Sequence, residues 1–271
     1  MRGSSRAAST SVQSAFDSSL AGASGWETLA EELFAVTAVV DGNASVRRAL
    51  ADPSRDASDK RGLARALFGG KVAESTTGLV SEVAGQRWSA ERDLGDTLES
   101  LAVQALLATA ERAGRIDRVE DELFRFERIV AGDPELRDTL SSRNRDGAGK
   151  AALVKGLLEV KAAPETVRLA EQAVRAPRGR RLDQVLGEYL ALAARRRDEL
   201  TALVTVAAPL SAQQQARLRS ALEAHYSKAV TLQVVLDPRV MGGIRVQVGD
   251  DVVDGTVLRR LEEARRHVTG S

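Results

Sequence analysis

The 271-residue chain contains no cysteine. That excludes disulfides, thiolate metal sites and cysteine nucleophiles. Histidine is nearly absent too, with only His225 and His267. Neither sits in an H-x-x-x-H or H-E-x-x-H spacing, so no imidazole metal centre is expected. Aromatic residues make up 3% of the chain. The core must be built from Leu, Val and Ala, which suits helix on helix better than a large β-sandwich. No apolar run approaches the roughly 18–20 residues that a membrane-spanning helix needs. An excess of one charge is missing as well. The formal net charge is +1, too small to draw the chain to nucleic acid or to a membrane surface. Lysine is scarce beside arginine, 6 against 33, which reflects a GC-rich genome more than a function.

What is present is the composition of a soluble globular protein, 43% apolar and 28% charged. The first stretch, "MRGSSRAASTSVQSAF", has no apolar h-region and does not read as a secretory signal. Its Ser and Arg, with no acid before Asp17, have some transit-peptide character, but a flexible tail over residues 1–10 is the expectation. From there to about residue 200 apolar residues recur at three- and four-residue steps, as in Leu29, Leu33, Val36 and Val40. Turn residues punctuate the pattern at "DGNAS" (41–45), "ADPSRD" (51–56), "AGDPE" (131–135) and "RAPRGR" (175–180).

This helical part is written twice. Sliding the chain by 90 residues places 32–68 on 122–158 without a gap, and 12 of 37 positions are identical, among them Leu33/Leu123, Phe34/Phe124, Gly42/Gly132 and Lys60/Lys150. Matched positions are of core or turn type, which two copies of one packing scheme preserve. The expected architecture is mainly α: two tandem six-helix-type bundles, residues 11–102 and 103–200, joined by a helix through 98–114. A small αβ domain, 201–271, follows.

In that last part the period changes. "TALVTVAAPL" (201–210) reads as a strand ending at Pro209, and Ser211 and Gln214 stand at capping-box spacing before a helix striped by Leu218, Leu222 and Tyr226. "VTLQVVL" (230–236) is a second strand, and Ile244, Val246 and Val248 alternate as a third. Gly249-Asp250 suits a two-residue hairpin turn. Gly242-Gly243 suit a bulge or close backbone approach, and Asp254 stands where a helix from about Gly255 to Val268 would be capped. A phosphate loop would need Gly-Lys-Ser/Thr before a helix, or G-x-G-x-x-G after a strand. Neither occurs, and Asp250 and Asp251 would repel phosphate. No cofactor is expected.

"LDPRVMGGIRVQVGDDVVDGTVLRRLEEARR" (236–266) resembles the carboxy-terminal signature of the delta subunit of rotary ATP synthase, the oligomycin-sensitivity-conferring protein family. Asp237, Gly242, Gly243, Gly249, Asp250, Asp254 and Gly255 occupy its fixed points. "VTVAAPLSAQQQARLRSALE" (204–223) resembles the family's junction strand and following helix, and 103–200 its helical bundle. The first copy is additional to the family's short form. The resemblance implies a non-catalytic stator subunit, one per complex. Its bundle would hold amino-terminal helices of alpha subunits and its αβ domain the b-type stalk subunits, at the cytoplasmic face of a bacterial membrane or on the matrix side of the mitochondrial one. It also implies a groove between the first and fifth helices of the second copy, about 103–113 and 164–176. Leu106, Leu107, Ala110, Val167, Ala170 and Val174 are the candidates for its lining, against the alternative that they close their own bundle.

Three other readings compete. "RAPRGRR" (175–181) and "ARRR" (194–197) are basic, as in a nucleic-acid binder, but no aromatics interleave for stacking bases. Glu120, Asp121 and Glu122 could suggest paired carboxylates, but consecutive residues point to different helix faces, so a solvated, salt-bridged face is expected. A generic helical scaffold is the third.

Overall fold

The computed structural model describes residues 3–22, 25–142, 144–226, 229–237, 243–248 and 251–254. It is helical up to residue 198: α1 (Gly3–Gly22), α2 (Trp26–Gly42), α3 (Ala44–Ala51), α4 (Ala57–Phe68), α5 (Glu74–Gly85), α6 (Glu91–Arg112), α7 (Ile116–Gly132), α8 (Pro134–Ser141), α9 (Gly147–Leu158), α10 (Pro164–Arg175) and α11 (Leu182–Asp198). The ninety-residue step of the sequence reappears in the elements. Each of α7 to α10 begins and ends 90 residues after its counterpart among α2 to α5. α6 stands at the same offset from the whole of α1 and α11 at the same offset from α6, so α6 serves as the last helix of one copy and the first of the next.

The described residues fall into two compact units, one within 1–13 and 25–197, the other within 14–24 and 198–271. Both helical copies lie in the first unit except for residues 14–24 and 198–200, and α6 runs unbroken through residues 102 and 103. Residues 3–10, expected as a flexible tail, are instead the first turns of α1. The reason is packing: Ala8 and Val12 stand at i, i+4 and are buried, and Ser5 Oγ donates to Asp93 on α6 at 2.7 Å. Ser and Ala fit such a close helix–helix seam, and composition alone gives them no apolar signal.

Shared local chemistry makes the copies alike. Asn43 Oδ1 accepts from the backbone N–H of Ser45 and Val46 and starts α3. Asp133 Oδ1 accepts from Leu136 N–H and starts α8, with Pro134 in its first turn. Leu33 and Leu123 are fully buried at matched positions, each worth about 1.5–3 kcal/mol by removal of apolar surface from water. Lys60 and Lys150 are buried lysines at matched positions. Lys60 Nζ donates to the carbonyl of Gln86, just past α5, at 2.6 Å, and Lys150 Nζ to that of Ser142, just past α8, at 3.2 Å. An ammonium at a helix C-terminus satisfies an orphan carbonyl and meets the negative end of the helix dipole.

The second unit carries β1 (Glu199–Val206), α12 (Ala212–Tyr226), β2 (Ala229–Leu236), β3 (Ile244–Val248) and β4 (Asp251–Asp254). The sheet order is β2-β1-β3-β4. β1 and β2 are parallel and are joined through α12, whereas β3 is antiparallel to both β1 and β4. The expected capping box is present: Ser211 N–H donates to Gln214 Oε1 at 2.8 Å, and Gln214 N–H to Ser211 Oγ at 3.2 Å. Leu218, Leu222 and Tyr226 lay the α12 stripe against Ala202, Val204, Val206, Val230, Val246 and Val248. β1 starts at Glu199, two residues before the strand expected from the sequence.

Candidate functional site

Of the tail-signature residues, Asp237, Gly243 and Asp254 are among those described, and they stand at strand ends. Asp237 N–H donates to the Val206 carbonyl at 3.0 Å and extends the β1–β2 ladder by one step. Gly243 has φ 83° immediately before β3, a left-handed conformation that costs a side-chain-bearing residue about 1–2 kcal/mol. Pairing of Val248 with Asp251 leaves 249–250 as the two-residue connection between β3 and β4. Asp254 ends β4 opposite Arg245. Gly242, Gly249, Asp250, Gly255 and the helix expected over 255–268, which Asp254 was expected to cap, lie outside the described residues.

The six groove candidates divide between two helices. Leu106, Leu107 and Ala110 are on α6, and Val167, Ala170 and Val174 on α10. All six are buried, and the most exposed, Val167, is only 8% accessible. In the chain by itself they close an interior, and the uncovered apolar strip expected at these positions is not there.

The chemistry of the helical unit gathers instead where the copies meet. Arg178, between α10 and α11, reaches back into the first copy. Its Nε donates to Asp41 Oδ2 at 2.5 Å, and its Nη1 to Asp96 Oδ1 at 2.7 Å and Glu99 Oε2 at 3.0 Å. Arg180 Nη2 donates to both Glu99 oxygens, at 2.7 and 2.5 Å, and the Tyr189 hydroxyl donates to Glu99 Oε1 at 2.8 Å. The Glu99 side chain is 2% exposed and that of Arg178 7%. Burial works against the charge on Arg178, but the hydrogen bond and charge of Asp41, followed by Asp96 and Glu99, outweigh it and raise its pKa. Burial, then the Glu99 charge, pushes the Tyr189 phenol well above its ordinary value. Arg178 takes φ 53° to make these contacts, a strained backbone held by its surroundings. Gly95 makes room for it, since a Cβ there would collide with the guanidinium.

Further along the joint, Arg168 on α10 forks onto Glu31 of α2 at 2.5 and 2.9 Å and lies 4.6 Å over the Phe34 ring. A cleft of about 880 Å³ runs between α2 and α10 here. The acidic run on α7 is structural as well. Glu122 Oε2 accepts from Ala163 N–H at 2.8 Å and Thr166 Oγ1 at 2.6 Å, which caps α10, and Arg118 pairs with Glu122 at 2.6 Å. Ninety residues earlier Glu32 accepts from Ala73 N–H at 3.0 Å and from the Thr76 hydroxyl, which caps α5. Burial opposes the Glu122 charge, yet the hydrogen bonds from Thr166, Ala163 and Arg118 prevail and lower its pKa. The solvated face expected for this run holds for Asp121, which pairs with Arg125, but not for Glu122. Sequence reasoning stopped comparing the copies at residues 68 and 158. The identities Ala73/Ala163 and Thr76/Thr166 lie just beyond and would have exposed the device.

Most arginines of the basic runs pair with carboxylates of this chain, whereas Arg175 and Arg195 are exposed. Arg178 and Arg180 serve Glu99, Arg181 pairs with Asp183, Arg196 with Glu111 and Arg197 with Glu120. Among the described residues no group of three or more His, Cys, Asp or Glu is placed to hold a metal ion, and no helix is long and apolar enough to cross a membrane. The buried charges join helices, and Glu31, Asp41, Arg168 and Arg178 also line the cleft between α2 and α10. Such an arrangement holds surfaces together.

Comparison with known proteins gives the same direction. The family model described as "ATP synthase delta (OSCP) subunit" matches residues 103–268. An ATP synthase subunit delta of Streptomyces griseus is 48% identical over 242 residues, covering 89% of each chain. That of Kineococcus radiotolerans is 45% identical over 240 residues, covering 89% of this chain and 87% of its own. That of Nocardia farcinica is 43% identical over 272 residues, covering 99% of this chain and all of its own, the first helical copy included. The chain belongs to the ATP synthase delta (OSCP) subunit family.

Proposed function

We infer that this chain is part of the stator of a proton-translocating ATP synthase, a peripheral-stalk subunit that joins other subunits and carries out no bond chemistry. The observation that carries this is the family match over residues 103–268 together with 43–48% identity to subunit delta relatives over most of the chain. The helical unit takes amino-terminal helices of alpha subunits, the αβ domain takes the ends of b-type subunits, and one copy serves each complex. It sits at the cytoplasmic face of the membrane through those partners. The second bundle, 103–200, and the αβ domain, 201–271, form the part shared with the short form of the family. The first bundle, 11–102, braces the second. Support for bracing comes from the joint, where Asp41, Asp96, Glu99, Arg168 and Arg178 tie α2 and α6 to α10 and its loop.

A tie must resist torque and release slowly. A nanomolar grip corresponds to about −12 kcal/mol, which a helix docked in a groove can supply. Because Leu106, Leu107, Ala110, Val167, Ala170 and Val174 are closed in the chain alone, an alpha helix that uses them must part α6 from α10. The test is fluorescence anisotropy of labelled peptides from the alpha amino terminus and the b carboxy terminus against the full chain. Saturable binding of both is expected. If neither binds at micromolar concentration, the partner assignment is wrong.

A further inference from the structure

The cleft of about 880 Å³ between α2 and α10 is lined by five arginines, Arg47, Arg92, Arg168, Arg175 and Arg178, and by two carboxylates, Glu31 and Asp41. Both carboxylates are engaged, Glu31 by the fork of Arg168 and Asp41 by Arg178. The other three arginines are held loosely. Arg175, in the last turn of α10, is exposed and has no carboxylate partner among the described residues. Arg47 on α3 and Arg92 on α6 reach Glu91 and Asp96 only at 3.6 and 3.5 Å, against about 2.7–2.9 Å for a charge-assisted hydrogen bond. Ion pairs so open to water contribute about 0–1 kcal/mol.

The three gather around the Asp41–Arg178 contact. Arg47 Nη1 donates to the Asp41 carbonyl at 2.9 Å, and Arg92 Nη2 to the Arg178 carbonyl at 3.0 Å, three residues along the chain from Arg175. The first of these bonds also answers a carbonyl at the end of α2, so that oxygen does not face the cleft bare. On α2, Ala35 and Ala38 are exposed one turn apart and give the cleft a small-residue floor. The packing scheme of a single copy does not demand these cations. At the ninety-residue step Arg92 falls on Leu182 and Arg175 on Gly85.

We propose that this cleft binds a polyvalent phosphate anion, either inorganic pyrophosphate or the phosphate tail of a nucleotide, and that the bound anion clamps the two helical copies together. A guanidinium presents a planar fork of donors that matches phosphate oxygens. Three such forks, brought to one cleft by α3, α6 and α10, suit an anion with several charges, whereas a lone carboxylate would neutralise only one of them. The volume lies within the range of small-ligand sites, about 300–1,000 Å³. An anion bridging Arg47 and Arg92 to Arg175 adds a link across the joint that already carries Asp41 and Arg178. The proposal does not depend on which subunits the stator joins.

The test is calorimetric titration of the full chain at constant ionic strength with pyrophosphate and, separately, with ATP. Saturable binding of one anion per chain is expected. Equal affinities identify the phosphates as the whole of what is recognised, and tighter binding of ATP adds the nucleoside to the ligand. Arg175→Ala should weaken binding about tenfold or more, or about 1.4 kcal/mol. Arg175 is exposed, so the variant is expected to keep the parent's helical signal; if it does not, Arg92→Gln must give the weakening. Arg137→Ala, in the separate cleft beside α8, must leave the affinity unchanged. In differential scanning calorimetry a saturating anion should raise the transition of the helical unit and leave that of the αβ unit in place. The proposal is overturned by absence of saturation up to about 1 mM, the weak end of specific recognition, by equal affinity for the Arg175→Ala variant, by an equal loss on Arg137→Ala, which would show diffuse counterion binding, or by saturation without any shift of the helical transition.

Discussion

Arg178 and Asp41 stand 137 residues apart and meet at 2.5 Å across the joint between the two helical copies. Their contact brings a loop of the second copy onto the second helix of the first. It is one edge of a cluster in which two guanidiniums face four carboxylates, Asp41, Asp96, Glu99 and Glu188, and a phenol. A buried pair of this kind adds little over well-packed apolar residues, but breaking it by removing one partner costs about 3–5 kcal/mol because a buried charge is left alone.

Arg178→Ala should therefore lower the stability of the helical unit by about that amount, with Asp41, Asp96 and Glu99 losing a shared cation. Urea denaturation followed by helical ellipticity measures it. A midpoint equal to that of the parent would show that the cluster is solvated and carries no load.

Glu122→Gln addresses the cap of α10. The pKa of Glu122 is lowered in the folded chain. Its ionised side chain therefore stabilises the fold above the unfolded value of about 4.3, and this contribution is lost as pH falls through the lower folded value. Glu122→Gln should cost about 1 kcal/mol at neutral pH, the usual worth of a cap, and should flatten the loss of stability between pH 5 and 3. A variant as acid-sensitive as the parent would mean that Glu122 does not contribute to that loss.

Tyr189 governs the alkaline side. Its phenol is raised well above the ordinary value by burial and then by the Glu99 charge. A raised acid keeps its stabilisation below the unfolded pKa of about 10 and loses it as pH rises through the folded value. In Tyr226→Phe, where Tyr189 is the remaining tyrosine, phenolate absorbance should emerge only together with loss of helix. Phenolate formation with the helices intact would contradict the burial.

Gly243→Val tests the αβ unit. At φ 83° a β-branched residue is strained, with a penalty of at least about 1–2 kcal/mol. The sheet should melt earlier while the helical unit keeps its transition, as seen by calorimetry of the full chain. An unchanged thermogram would show that the backbone relaxes freely there.

Local patterns were legible in the sequence. The capping box at Ser211 and Gln214, the α12 stripe and the alternation of Ile244, Val246 and Val248 are short-range signals, and each stands in the structure where its spacing placed it. The ninety-residue shift was legible because core and turn residues are retained between copies. The joint was not. Arg178 and Arg180 looked like loop cations because their partners lie 79 to 137 residues away, beyond any periodicity. Residues 3–10 looked like a tail because small Ser and Ala side chains, which suit a tight helix seam, score as polar or neutral. The buried state of Leu106 and Val167 was likewise hidden, since an apolar stripe has the same spacing whether a partner or its own bundle covers it.

The most direct test of the central claim, that this chain is a mechanical tie and not a catalyst, is proton pumping measured alongside ATP hydrolysis. Membranes carrying the ATP synthase are stripped of this chain and then given it back. We expect hydrolysis to persist in the released catalytic head, pumping to vanish on stripping, and pumping to return on re-addition with the turnover of the head unchanged. Normal pumping without the chain, or ATP hydrolysis by the purified chain itself, would contradict the account.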